Sequence, residues 1–231
     1  MNIDEEFEII KEFAKANKNM FADGGNVLLN RSKKNDYFSE KHLKQIKESF
    51  IASRNFKNSE VSTVPDEAVY IYIKGKLDKS DEEIDAIKEA HNIGMNVEDL
   101  IGHTLEEYIY SKSSDQGWIW CSGNILRSID FIKKEVDGEN INWQMLQVKN
   151  SDNSENSSSR KVREGTPIKH WFRRFSKRKA HNWEKLNIIL GMESLSEENF
   201  LEFFKIFMRF FRDFQDFLEI FKIFLEIFKI F

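Results

Sequence analysis

Apolar residues recur three and four apart near the start of the chain, where Phe7, Ile10, Phe13 and Ala14 form one stripe. That spacing predicts a helix burying one face, and Gly24-Gly25 breaks the pattern. A second helix is expected from about Ser39 to Arg54, then a polar loop over 55–66 containing Pro65. Val69–Ile73 alternates weakly and is expected as a short strand. Ser80 precedes Asp81, Glu82 and Glu83, an N-cap followed by first-turn acids that complement the helix dipole, so a helix should run to about His91. The next helix is predicted over Asn96–Lys112, with Val97, Leu100, Ile101, Leu105, Tyr108 and Ile109 as its apolar stripe.

The pattern then changes period. Trp118–Cys121 is a run of strand-formers ended by Ser122-Gly123, and extended segments are expected over 125–136 and 141–149. Asp137-Gly138 lies between them, a strong hairpin signal. Residues 150–159 contain no apolar side chain, and a basic helix is expected over about 168–179, with Trp171, Phe172 and Phe175 among its charges. Helices, then a hairpin, then helices imply an α+β fold with a small mixed sheet. Three regions are expected: a mainly helical 1–95, a core over 96–199 and a phenylalanine-rich tail over 200–231.

The tail holds 12 of the 21 phenylalanines, and Phe217–Ile223 is repeated identically as Phe224–Ile230. A seven-residue repeat favours a helix packing along a seam. With five acids and five bases over 200–231, a membrane-surface helix, which usually carries a basic face, fits less well. An inert duplication is the alternative to partner packing.

Composition narrows the function classes. One cysteine, Cys121, excludes an internal disulfide and suits a reducing compartment. The acidic start, Asp4-Glu5-Glu6, is unlike a secretory signal, and no stretch has the roughly 20 apolar residues of a membrane-spanning helix. A cytoplasmic protein is expected. His91, His103, His170 and His181 show no metal-ligand spacing, and Trp118, Trp120 and Cys121 read as core. The net charge of −4 conceals an asymmetry: 149–185 carries 11 Lys+Arg against 4 Asp+Glu, whereas 1–148 carries 19 against 27. A basic segment between acidic ones is a footprint for a polyanion, or else a solvated loop.

Candidate chemistry lies around the hairpin. Residues two apart on a strand share a face, so Gln147 and Lys149 point one way and Val148 faces a core. If the turn folds the strands together, Asp130 comes alongside. An acid, an amide oxygen and a lysine in one place suit Mg²⁺, which takes few protein oxygens and keeps several waters. The spacing by itself leaves a turn or surface role for Asp130 open.

Asp130 with Gln147-Val148-Lys149 resembles the PD-(D/E)xK nuclease motif, with Gln in place of the usual acid. Residues 102–108 (GHTLEEY) resemble the preceding helix, which often supplies another carboxylate. Longer blocks, 117–123 (GWIWCSG), 146–150 (LQVKN), 152–159 (DNSENSSS) and 165–173 (GTPIKHWFR), resemble SinI-type restriction endonucleases. The resemblance is dense over about 97–185 and absent from the repeats. It implies Mg²⁺-dependent cleavage of double-stranded DNA at GGWCC (W is A or T), and a partner cytosine methyltransferase that protects host sites. Carried over by position, Asp130 is the main metal ligand, Gln147 the second, Val148 a ligand through its carbonyl, and Lys149 the catalytic lysine. Glu106 is expected as the helix carboxylate, because Leu105 and Tyr108 belong to the apolar stripe, with Glu107 in reserve. The amide at 147 removes one negative charge and leaves the ligand set and metal number open.

A near-palindromic target is matched by a two-fold homodimer. Arg160, Lys161 and Arg163, then Asn153, Glu155, Asn156 and Asn150, are the residue types that read base edges, whereas Lys169, Arg173, Arg174, Lys177 and Arg178 are expected on phosphates. The rival readings are a catalytically inactive DNA-binding protein of nuclease fold, or a nuclease of that fold with another target.

Overall fold

The computed structural model describes residues 1–17, 20, 38–54, 67–77, 79–123, 125–153 and 164–210. The helices are α1 (Ile3–Ala16), α2 (Glu40–Ser53), α3 (Glu67–Leu77), α4 (Asp81–Ser113), α5 (Trp183–Leu190) and α6 (197–210). The strands are β1 (Trp118–Trp120), β2 (Phe131–Asp137), β3 (Asn140–Ser151) and β4 (Lys169–Arg174). They form one sheet in the order β1-β2-β3-β4. The first three are antiparallel and β4 lies parallel to β3, which makes the fold α+β with a mixed sheet, as the element order implies.

Strand alternation divides the core between two faces. Ile119, Ile132 and Met145 pack with Phe7, Ile10 and Phe13 of α1 and with Ile46 and Phe50 of α2. Their alternates Trp118, Trp120, Phe131, Leu146 and Val148 pack with Leu105, Tyr108 and Ile109 of α4, with Trp183 and Leu186 of α5, and with Phe200 of α6. The hairpin forms where the sequence places it: Asp137 pairs with Asn140 across a turn at Gly138, whose φ of 59° suits glycine. Cys121 is buried.

Several elements differ from expectation. The weak alternation at Val69–Ile73 lies inside α3. Glu67 in its first turn and Lys74 and Lys76 in its last complement the dipole, and Tyr70 and Lys74 both reach Asp81 of α4 at 2.6 and 2.7 Å. The two helices expected over 80–112 are one 33-residue helix, started by a capping box on Ser80. Gly94 weakens a helix without stopping it, and no proline intervenes. The extended segment expected from Ile125 begins only at Phe131; Ile125, Leu126 and Ile129 are buried in the turns before it.

The basic helix expected over 168–179 is instead β4. Parallel pairing with β3 (Val148 opposite Trp171, Lys149 opposite Phe172) satisfies backbone groups that an isolated basic helix of that length would hold only marginally. The FLEIFKI repeats lie outside the described residues, as does Gly24-Gly25. Among the described residues no helix is long and apolar enough to cross a membrane.

Candidate active site

Asp130 is the last residue before β2, held by backbone on both sides. Its carbonyl accepts the Cys121 N–H at 2.8 Å, and its own N–H donates to the Leu146 carbonyl at 2.9 Å. Phe131 pairs with Leu146, so the carboxylate lies beside the part of β3 that follows. There its Oδ2 accepts the Val148 N–H at 2.7 Å. A side chain takes the place of the missing strand, tying the acid to the segment that carries Gln147 and Lys149.

Glu106 approaches from α4. Leu105, Tyr108 and Ile109 bury their side of the helix, and Glu106 lies at the edge of that stripe, its Oε2 accepting the Trp120 indole N–H at 2.7 Å. Asp130 and Glu106 are both partly buried: solvent reaches them, yet enough protein surrounds them that the charged form loses hydration. Burial, then the Asp130 charge, pushes the Glu106 carboxyl up to about 8, against the opposing pull of the Trp120 N–H and the Lys149 charge. Burial also raises Asp130, opposed by the Val148 N–H and by Lys149. The three ionisable groups therefore share one electrostatic environment. The adjacent Glu107 is raised by burial alone, with no contribution from Asp130, Trp120 or Lys149.

Gln147 is 2% exposed, and its Oε1 has no hydrogen-bond partner among the described residues. An orphaned buried acceptor is costly, unless something else takes its lone pairs. Two carboxyls and one amide oxygen fit a hard cation that retains waters, such as Mg²⁺. Among the described residues no group of three or more His, Cys, Asp or Glu converges to hold a metal, and residue 147 contributes an amide, not an acid.

The residues expected to contact DNA separate into two sets. Arg173 differs from expectation: it is 7% exposed, its Nη1 lies 2.6 Å from Glu197, its Nε donates to Asn150 Oδ1 at 2.9 Å, and it stacks on Phe200. Asn150 is also internal, donating to Glu98 at 2.8 Å. These two groups join β3 and β4 to α4 and α6 and present nothing to a ligand. By contrast Lys169, Lys177, Arg178 and Asn153 are exposed, and Arg174 is partly so, 3.4 Å from Glu98. Glu155, Asn156, Arg160, Lys161 and Arg163 lie outside the described residues.

After β4 the chain turns back on itself, Arg174 bridging to His181 and the Phe175 N–H donating to the Ala180 carbonyl at 3.1 Å. Asp152 fixes this turn by accepting the Ser176 N–H at 2.8 Å. Arg174, Lys177, Arg178 and Lys179 line its cleft of about 580 Å³. The sequence pattern identifies neither Trp120 as a partner of Glu106 nor Asp152 as an anchor: the first reads as core and the second as one polar residue among many.

A family model described as SinI restriction endonuclease matches residues 2–210. The chain belongs to the SinI restriction endonuclease family. Within it, the chain is 42% identical over 178 residues to type II restriction enzyme Eco47I of Escherichia coli, covering 76% of each. It is also 42% identical over 163 residues to type II restriction enzyme SinI of Salmonella infantis, covering 70% of each. The family match takes in α1 and α2 as well as the sheet, consistent with one core shared between them. Membership carries the class of enzyme: a type II site-specific deoxyribonuclease.

Proposed function

We propose that this member of the SinI family hydrolyses both strands of duplex DNA at GGWCC with Mg²⁺, acting as a homodimer in the cytoplasm beside a cytosine methyltransferase that protects the same sites. The observation that carries the catalytic part is the Asp130–Val148 hydrogen bond, which holds an acid against the Gln147–Lys149 segment and near enough to the Glu106 carboxyl for its charge to act on it. The target and the methyltransferase follow from the family resemblance, and the homodimer from the symmetry of the target.

Asp130, Glu106, the Gln147 amide oxygen and the Val148 carbonyl would hold the ion. When bound, Mg²⁺ acidifies a coordinated water and offsets charge at the scissile phosphate. Asp130 keeps one oxygen on the Val148 N–H, which fixes the direction of the other. Lys149 orients the attacking water and puts a positive charge beside the phosphate as negative charge develops there. Lys169, Arg174, Lys177 and Arg178 grip phosphates, giving affinity without sequence information, while Arg160, Lys161, Arg163, Asn153, Glu155 and Asn156 read base edges.

The test is digestion of a plasmid of known sequence with Mg²⁺, followed by sequencing of the cut ends. Wild type should cut at every GGWCC, Asp130→Ala at none, and prior cytosine methylation of the sites should protect them. Ends mapping elsewhere would overturn the target assignment, and metal-independent DNA binding without cleavage would overturn catalysis.

A further inference from the structure

Trp120 carries two relationships at once. Its indole N–H is 2.7 Å from Glu106 Oε2, and its ring, 2% exposed, is clamped by neighbours. The Arg54 guanidinium lies 4.9 Å from the ring centroid, with His103 at 5.3 Å and Tyr110 at 6.0 Å. Arg54 is itself fixed: it donates to Glu6 at 2.6 Å, to the Trp120 carbonyl at 2.8 Å and to Ser122 at 3.1 Å. Tyr110 donates to the other oxygen of Glu6 at 2.5 Å. The indole is thus locked to α1, to the end of α2 and to α4.

We propose that Trp120 is a positioning residue, its N–H fixing one oxygen of Glu106 so that the other faces the metal site. This deepens, and rests on, the reading of Glu106 as a metal-facing carboxylate. A carboxyl on a long side chain has several rotamers, and ordering it on binding would weaken that binding. The clamp removes this cost in advance, as partners of metal ligands commonly do.

Trp120→Phe keeps most of the ring volume and removes the donor. Mg²⁺ binding by calorimetry and plasmid cleavage are compared for wild type, W120F, E106Q and W120F/E106Q. Mg²⁺ affinity and cleavage should each fall roughly 10- to 100-fold in W120F, while the double variant binds Mg²⁺ no more weakly than E106Q. An equal loss in both backgrounds shows simple packing and overturns the proposal. So does a W120F protein equal to wild type while E106Q is inactive. If E106Q binds and cuts like wild type, the role of Glu106 itself falls, taking the proposal with it. Trp120→His guards against a misfolded W120F: it fills less space yet keeps an N–H. It should retain more Mg²⁺ binding than W120F, and the reverse order overturns the proposal.

Discussion

The carboxylate of Asp130 accepts the backbone N–H of Val148 at 2.7 Å, a side chain completing the edge of a sheet that β2 has not yet entered. The bond gives Asp130 a structural role separable from its charge. Asp130→Asn keeps an oxygen acceptor and removes the charge, so thermal unfolding should change by less than about 1 kcal/mol. Plasmid cleavage should fall by at least about 10³-fold. Parallel losses of melting temperature and activity would show that only the fold had been disturbed.

Gln147→Met replaces the orphaned amide with an apolar chain of similar size. Relieving an unsatisfied buried acceptor is expected to leave the metal-free protein as stable or about 1 kcal/mol more stable, while Mg²⁺ affinity drops at least about tenfold. Melting curves with and without Mg²⁺ measure both, and the variant should lose the metal-induced rise.

The Glu106 carboxyl, raised to about 8 in the folded chain from an ordinary 4.5, makes metal-free stability fall with pH. Between those values the unfolded chain has released a proton that the folded chain keeps, so the penalty is absent below about pH 4.5, grows as pH rises and is complete above 8. Glu106→Gln removes it. Because Glu106 is partly exposed, solvent screens part of this penalty. The metal-free melting temperature of E106Q should therefore exceed wild type by several degrees at pH 8, at about 2–4 °C per kcal/mol for a chain of this size. The two should converge at pH 5. A constant offset across this range would contradict the raised value. Because a ligand carboxyl must lose its proton, Mg²⁺ binding by wild type should tighten over the same window.

Arg173 and the turn after β4 should behave oppositely. Arg173→Ala leaves Glu197 without its guanidinium partner, with the Trp183 N–H and the His181 imidazole beside it, and leaves Asn150 without its donor. Removing one member of a buried pair costs about 3–5 kcal/mol, so a drop of roughly 10 °C in melting temperature is expected. Lys177→Ala with Arg178→Ala should leave melting unchanged, weaken binding to all DNA sequences alike, and reduce the slope of log affinity against log salt by about two. A loss confined to GGWCC sites would make these residues base readers.

Much of this molecule is local and therefore readable along the chain. The stripe in α1, the cap at Ser80, the turn at Asp137-Gly138 and the alternation around Met145 and Leu146 each follow from dihedral preference or from the period of burial. So does the convergence of Asp130 with the Gln147–Lys149 strand, because a hairpin of known turn fixes which residues lie opposite one another. The place of Glu106 beside an apolar stripe is also legible along the chain, and it makes this acid a candidate.

What lay beyond the sequence was decided by partners distant along it. The 169–174 segment is a strand because β3 offers an open parallel edge, a condition no window of local sequence contains. Its Arg173 became an internal ion pair because α6 brings Glu197 against it, although its neighbours look equally basic. Trp120 holds Glu106 because a strand and a helix cross there, and composition alone describes that tryptophan as core. Local period and turn chemistry act between near neighbours, whereas hydrogen bonds and desolvation depend on which surfaces meet. The sequence by itself therefore determined the elements whose contacts are local, such as α1, the start of α4 and the β2–β3 hairpin, together with the candidate residues. Only tertiary packing decided that 169–174 is a strand and which polar groups remain available for chemistry.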